Sequence, residues 1–306
     1  MHHSRRDFLK RTAAGAVTGS VLGAMPLFQA SCKSQTSVKG IIIGAHPWVY
    51  AKPLPNYDIT PALEKIFSDM RYAGMAGVEL MHDPLRSAET TGQIMALKDQ
   101  YGLPVIGTSY GASMWNKEKH KEILNDAGMI ITNLAKVGGK TIGVSVGNAG
   151  ATKTEEQLDA QADLLKELMA ICAANGVVLN LHNHTYEVEN NMHDLRGTLK
   201  RIPDVKLGPD LNWLVRGGVD PVSFIREFGG QMVFCHLRDQ GADGKWTEVL
   251  GEGVMDFKGI GEAFREVGFQ GHAIIELAHE DGFVPTMEVK ESLKQSREFV
   301  TKALRI

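Results

Sequence analysis

The chain has 306 residues, with 33 Lys+Arg against 36 Asp+Glu for a net charge of −3, and three cysteines. Four of the basic residues (Arg5, Arg6, Lys10, Arg11) and one acidic residue (Asp7) fall within residues 1–32, so the remainder carries 29 against 35, a net of −6 that disfavours nucleic acid as a partner. Only Cys172 and Cys235 remain in that body, one on a predicted helix and one within a predicted strand, which argues against a disulfide framework and for two small core hydrophobes.

Residues 1–32 stand apart from the fold. Ser4-Arg5-Arg6-Asp7-Phe8-Leu9-Lys10 is a charged twin-arginine stretch, and Ala13 to Phe28 is an uncharged run of small and apolar residues leading to Ala30-Ser31-Cys32. This resembles a Tat signal peptide and implies export to the periplasm. Glycines at 15, 19 and 23 make the run a poor permanent membrane span. Small residues before Cys32 resemble a lipoprotein processing site, although Gln29 stands where an aliphatic residue is usual, so a lipid anchor at Cys32 is the one expected link to a membrane.

Residues 33–306 suit one α/β barrel, which takes about 250 residues, better than two ordinary domains. Strands are predicted at 40–43, 77–80, 105–107, 141–146, 177–181, 205–209, 232–235 and 273–275, most of them short, apolar and bounded by Gly or Pro as strands covered on both faces should be. Helical spacing occupies 60–73, 88–101, 117–137, 155–174, 192–201, 221–228, 257–266 and 287–304. Thr60-Pro61 offers an N-cap with proline at the first helical position, and Gly102, Gly138, Gly176 and Gly268 sit where C-caps would fall. Eight β/α repeats without a linker or low-complexity stretch predict a single (β/α)8 TIM barrel, with an open doubly wound sheet as the alternative.

Four late strands run into residues able to bind a metal: 177–181 into His182, 205–209 into Asp210, 232–235 into His236, and 273–275 into Glu276. In a barrel these strand ends converge on one face, where the βα loops build the active site. His46, Glu79 and Ser109-Tyr110 belong to the same face. Taken singly, each has an ordinary structural account, such as a Pro-Asp turn for Asp210 or a buried imidazole bonded to a carbonyl for His236.

Several segments together resemble the xylose-isomerase-like barrels, also described as the sugar phosphate isomerase/epimerase family. They are Leu181-His182-Asn183-His184-Thr185-Tyr186-Glu187, Asp210-Leu211-Asn212-Trp213, His236-Leu237-Arg238-Asp239, Gly251-Glu252-Gly253 with Asp256-Phe257, and Gly271 leading to Glu276. The resemblance implies a divalent ion, typically Mn²⁺, held by His182, Asp210, His236 and Glu276. His182 stands where many members carry Glu, which raises the charge of the site by one and removes a candidate base. Two carboxylates and two imidazoles suit Mn²⁺, Fe²⁺, Co²⁺ or Zn²⁺ better than Ca²⁺.

The implied chemistry begins with deprotonation beside a sugar carbonyl, the ion stabilising the enediolate that forms. Glu276 or Glu187 is the expected base, with His184 third; His184 or His279 could protonate a leaving oxygen. His46, Glu79, Arg238 and His279 are expected substrate contacts, and Trp213 a surface on which a sugar ring stacks. Trp48, Trp115 and Trp246 fall on predicted βα loops beside them. Because phosphorylated sugars are intracellular, an exported enzyme would meet neutral sugars or glycosides. A 3-keto-glycoside lyase, expelling the aglycone by β-elimination and coupled to an exported sugar oxidoreductase, ranks first; an isomerase or epimerase of a free keto-sugar ranks second. A non-catalytic sugar-binding lipoprotein is the alternative from another class. A metal-dependent nuclease of a related barrel is disfavoured by the acidic balance.

Overall fold

The computed structural model describes residues 40–306; the signal segment expected at 1–32, with Cys32, lies outside them. In chain order the elements are β1 (Ile41–Ala45), α1 (Trp48–Ala51), α2 (Leu63–Tyr72), β2 (Val78–Met81), α3 (Ala88–Tyr101), β3 (Val105–Gly111), α4 (His120–Val137), β4 (Thr141–Ser145), α5 (Glu155–Ala174), β5 (Val178–Leu181) and α6 (Thr185–Arg201). They continue with β6 (Lys206–Leu207), α7 (Leu211–Arg216), α8 (Pro221–Phe228), β7 (Phe234–Leu237), α9 (Phe257–Val267), β8 (Gly271–Ile275) and α10 (Val289–Leu304). Strands pair in the order β6-β5-β4-β3-β2-β1-β8-β7, all in parallel. Single parallel bridges, Leu207 with Met232 and Asp210 with His236, span the remaining seam between β6 and β7. The predicted (β/α)8 barrel is the observed one.

Apolar residues divide into two sets. The larger packs between sheet and helices, from Leu80 and Val144 outward to Phe67, Leu134, Leu165 and Phe264. A small one, Ile106, Phe234 and Ile274, fills the barrel's interior, so the interior is a packed floor and not a pore. Close packing there demands glycine: a Cβ on Gly44 would lie 2.5 Å from Ile106 Cδ1. On Gly208 it would lie 1.9 Å from Asn180 Oδ1, and the 205–209 run narrows to the two-residue strand β6 before Asp210.

Helix ends follow the sequence with local exceptions. Gly102, Gly138 and Gly268 are left-handed C-caps, whereas α5 stops at Asn175 with Gly176 just beyond it. Thr60-Pro61 opens a short 3₁₀ turn instead of α2, because Asp58 Oδ1 already accepts both the Thr60 N–H and its hydroxyl. Helix 192–201 begins earlier than expected: α6 starts at Thr185, then leaves the helical conformation at Glu189–Met192, where Asn190, Asn191 and Met192 take positive φ. Cys172 and Cys235 are buried free thiols. Among the described residues no helix is long and apolar enough to cross a membrane.

Candidate active site

The strand ends bring three ligand-type side chains together. His182 follows β5, Asp210 follows the β6 run and caps α7, and His236 is the third residue of β7; one donor atom from each lies within 4.8 Å of the others. Asp210 is fixed by its capping role, its Oδ1 accepting the N–H groups of Asn212 and Trp213 at 2.9 Å each. His236 is held at both ring nitrogens, Nε2 lying 2.5 Å from Glu79 Oε2 and Nδ1 2.7 Å from Glu276 Oε2.

The last pair is close without the alignment of a hydrogen bond, and both atoms are buried with no hydrogen-bond partner. Donor atoms that share one divalent ion, each about 2.0–2.2 Å from it, come to lie about 3 Å apart. The orphaned His236 Nδ1 and Glu276 Oε2, beside the triad, therefore fit a divalent ion. Glu79 would then play the carboxylate that orients a ligating imidazole from its far nitrogen.

Arg238, two residues along from His236, crosses this donor set. Its Nε lies 2.8 Å from Asp210 Oδ2 and its Nη2 2.6 Å from Glu276 Oε1, while His46 Nδ1 lies 3.2 Å from that same Glu276 oxygen. Burial alone would raise Glu276, but Arg238, His46 and His236 outweigh it and hold the carboxyl well below its usual range. Asp210 is raised by burial, an effect that Arg238 only partly offsets. Burial would lower His236, yet Glu79 and Glu276 overcome it and push the imidazole up to about 10. His182 is driven well below its ordinary value by burial and by His236.

Around this centre lies a cavity of about 190 Å³ at the barrel mouth. His46, His82, Ser109 and Tyr110 line it from the β1–β3 side, His184 from the β5 side, and Trp48, Trp213 and Trp246 form aromatic walls. Trp213 meets Trp246 edge-on at 5.5 Å, and the Arg238 guanidinium lies 5.7 and 5.3 Å from their ring centres. Trp246 is fixed by its Nε1–H donating to Asn212 Oδ1. Burial lowers His184 to about 4 and also lowers His82.

Glu79, expected as a substrate contact, is buried beneath the cavity against His236, and two further sequence-derived candidates stand apart from it. Glu187 does not line it; its carboxylate is buried behind, accepting from Ser145 Oγ at 2.6 Å, from the Val146 N–H, and from the His184 N–H at 2.7 Å. Burial raises Glu187 to about 7 against the pull of Ser145 and the His184 amide. His279 packs on Phe283 with ring centres 4.4 Å apart, and its carbonyl accepts from Lys52. Trp115 is also absent from the lining, whereas Trp48 and Trp246 are part of it.

Residues not singled out from sequence supply much of the surroundings. His82, one place beyond β2, bears only a lone-histidine signal, Ser145 bears none, and Tyr186 lies in the 181–187 segment without a role assigned to it, yet Tyr186 Oη lies 2.9 Å from Ser145 Oγ and 3.1 Å from His184 Nδ1. Asp239 organises the β7–α9 loop, its carboxylate accepting the N–H groups of Gly251, Gly253 and Met255. A Cβ on Gly253 would lie 2.3 Å from Asp239 Oδ1, which explains the glycine in the Gly251-Glu252-Gly253 segment.

Fold and donor set together define a (β/α)8 barrel with a metal-type centre at the C-terminal ends of its strands. The chain belongs to the Xylose isomerase-like TIM barrel family, which it matches over residues 67–303. It is 21% identical over 268 residues to an inosose dehydratase of Geobacillus thermodenitrificans (strain NG80-2), covering 76% of this chain and 87% of that protein. Its fold is similar to D-allulose 3-epimerase from Methylomonas sp., at a TM-score of 0.69 and 16% identity over 87% of this chain and 99% of that one. Similar too is 3-keto-D-glucoside 4-epimerase from E. coli, at a TM-score of 0.68 and 17% identity over 86% of this chain and 99% of that one.

Proposed function

We propose that this chain is a metal-dependent epimerase or isomerase of a keto-sugar, acting by removing and returning a proton on carbon next to the carbonyl. The observation that carries it is the pair of imidazoles, His184 and His82, lining two walls of a cavity that the donors His182 and His236 also line, with Asp210 buried beside them. Epimerisation needs a proton taken from one face and delivered to the other, a task for an unprotonated imidazole on one wall as base and a protonated imidazole on the other as acid, the two exchanging forms with each turnover.

Hydrogen bonding indicates which nitrogen of each ring is basic. His82 Nδ1 lies 3.1 Å from the Ser109 carbonyl, so Nδ1 carries the proton and Nε2 is free to accept one. From His184, the direction in which each hydroxyl both accepts and donates runs from Nδ1–H to Tyr186 Oη, from Tyr186 O–H to Ser145 Oγ, and from Ser145 O–H to Glu187 Oε1. Nε2 of His184 is then its basic atom. This reading moves the base from Glu276 or Glu187 to His184, because Glu276 has one oxygen beside His46 and would commit the other to the ion, and Glu187 does not line the cavity.

His182, Asp210, His236 and the Glu276 Oε2 beside them would hold the ion, with Mn²⁺ first and Zn²⁺, Co²⁺ or Fe²⁺ as alternatives. When bound, it would supply Lewis-acid stabilisation of the negative charge that deprotonation leaves on the sugar oxygen. Trp48, Trp213 and Trp246 would hold the ring by stacking and keep water from it. The twin-arginine stretch favours an exported enzyme, and hence an unphosphorylated sugar or glycoside that a sugar oxidoreductase could supply as the ketone.

A 3-keto-glycoside 1,2-lyase is the second reading. Its support is the inosose dehydratase relative, whose name describes elimination of water. Incubation of the Mn²⁺-supplemented protein with 3-keto-glucose and with an aryl 3-keto-glucoside in deuterated water separates the two. The epimerase reading expects deuterium beside the carbonyl and a new diastereomer; release of phenol without an epimer would install the lyase. Neither exchange nor phenol release in either substrate, with the ion bound, would overturn both.

A further inference from the structure

We propose that Arg238 is an internal counter-ion of the donor set, holding Asp210 and Glu276 while no divalent ion is bound, so that ion entry is an exchange for the guanidinium and not a simple addition. The inference rests on the metal reading above and adds a competitor to it. Both oxygens of Asp210 are already engaged, Oδ1 by the first turn of α7 and Oδ2 by Arg238 Nε at 2.8 Å. The capping bonds belong to the fold. Oδ2 is thus the oxygen an ion would take, and its present partner is the guanidinium.

Glu276 shows the same division. Its Oε1 is held by Arg238 and His46, whereas its Oε2 is the orphaned atom beside His236 Nδ1. A carboxylate shared in this way is half committed to the fixed cation and half open to another. Asp210, Glu276 and Arg238 are each almost wholly buried, so neither carboxylate can fall back on water when its cation leaves. A buried carboxylate without a partner is costly, and a planar guanidinium with two separate N–H edges suits bridging two of them.

A displaced guanidinium has somewhere to remain. The rings of Trp213 and Trp246 lie 5.7 and 5.3 Å from its central carbon, and aromatic faces receive a cation released from carboxylates. Like-charge repulsion between guanidinium and ion, both close to Asp210 Oδ2, should weaken ion binding in the wild-type protein.

Metal titration by calorimetry, together with melting of the chelator-treated protein, tests this. Arg238→Met should bind Mn²⁺ at least about tenfold more tightly than wild type. Its metal-free form should melt several degrees lower, and saturating Mn²⁺ should raise its Tm by more than it raises that of wild type. Arg238→Lys, which keeps a charge but loses the two-edged bridge, should fall between them, and gives the comparison if Arg238→Met folds only with the ion. Equal or weaker Mn²⁺ binding by both variants would overturn the exchange and leave the metal reading standing. Binding by the variants but not by wild type would support the exchange and overturn the metal-dependent function. If Mn²⁺, Zn²⁺ and Co²⁺ bind to none of the three proteins, both ideas fall.

Discussion

The two halves of the barrel divide the site unequally. Strands β5 to β8 end in the donors His182, Asp210, His236 and Glu276, whereas β1 to β4 contribute side chains that hold those donors or face the cavity. His46 reaches Glu276 and Glu79 reaches His236, each across the barrel from an early strand to a late one. The late half therefore has a motif, and the early half has partners whose meaning depends on what they touch.

Several experiments would break or sharpen this division. The largest effect belongs to the late half: His236→Ala should strip the ion and take turnover below detection, and metal analysis of the purified variant checks the first part. Retained ion would mean that the donor set has been misassigned. Next comes the early half acting through the late one. Glu79→Gln should leave the fold intact but weaken the ion's affinity by about 10- to 100-fold, as loss of a carboxylate behind a ligating imidazole does. Unchanged affinity would reduce Glu79 to a buried ion pair.

Glu187 is predicted to act on stability. With its folded value raised to about 7 from 4.5, the unfolded chain loses this proton first as pH rises. Stability should thus fall between about pH 4.5 and pH 7, by at most about 1.4 kcal/mol per pH unit, and level off above that window. Glu187→Gln should remove this slope in urea melts across the window; an unaltered slope would show that the group titrates elsewhere. The smallest effect lies at the aromatic wall, where Trp48→Ala should raise KM by about two- to tenfold with kcat little changed, since a lost stacking contact costs about 0.5–1.5 kcal/mol. A loss confined to kcat would instead place Trp48 near the reacting carbon.

The late half was legible because its donors recur at the same place in successive repeats. Asp210 and Glu276 follow an apolar run directly, and His236, expected just beyond its strand, lies within β7 with the same exposure to the mouth. Nothing similar marks Ser145, Tyr186 is marked only as a member of the 181–187 segment, and His82 is a single histidine after an ordinary strand. Their relation to Glu187 and His184 comes from side chains meeting between β4 and α6, at separations of about forty residues that carry no local pattern. The left-handed turn at Asn190–Met192 was only partly announced: two adjacent asparagines tolerate that conformation, but Met192 does not, and neither Gly nor Pro marks the place.

Read by itself, the chain determined the eight repeats, the face on which the site forms and the residue types on offer there, because alternating apolar runs and strand-end polarity are local properties. Tertiary structure alone decided how those residues share their charges. Arg238 could have met a substrate oxygen, and folding instead set it between Asp210 and Glu276; Glu187 could have faced the sugar, and folding instead set it behind Ser145. Both outcomes depend on ångström-scale distances between separate strands, and electrostatic energy inside a barrel varies steeply with just those distances.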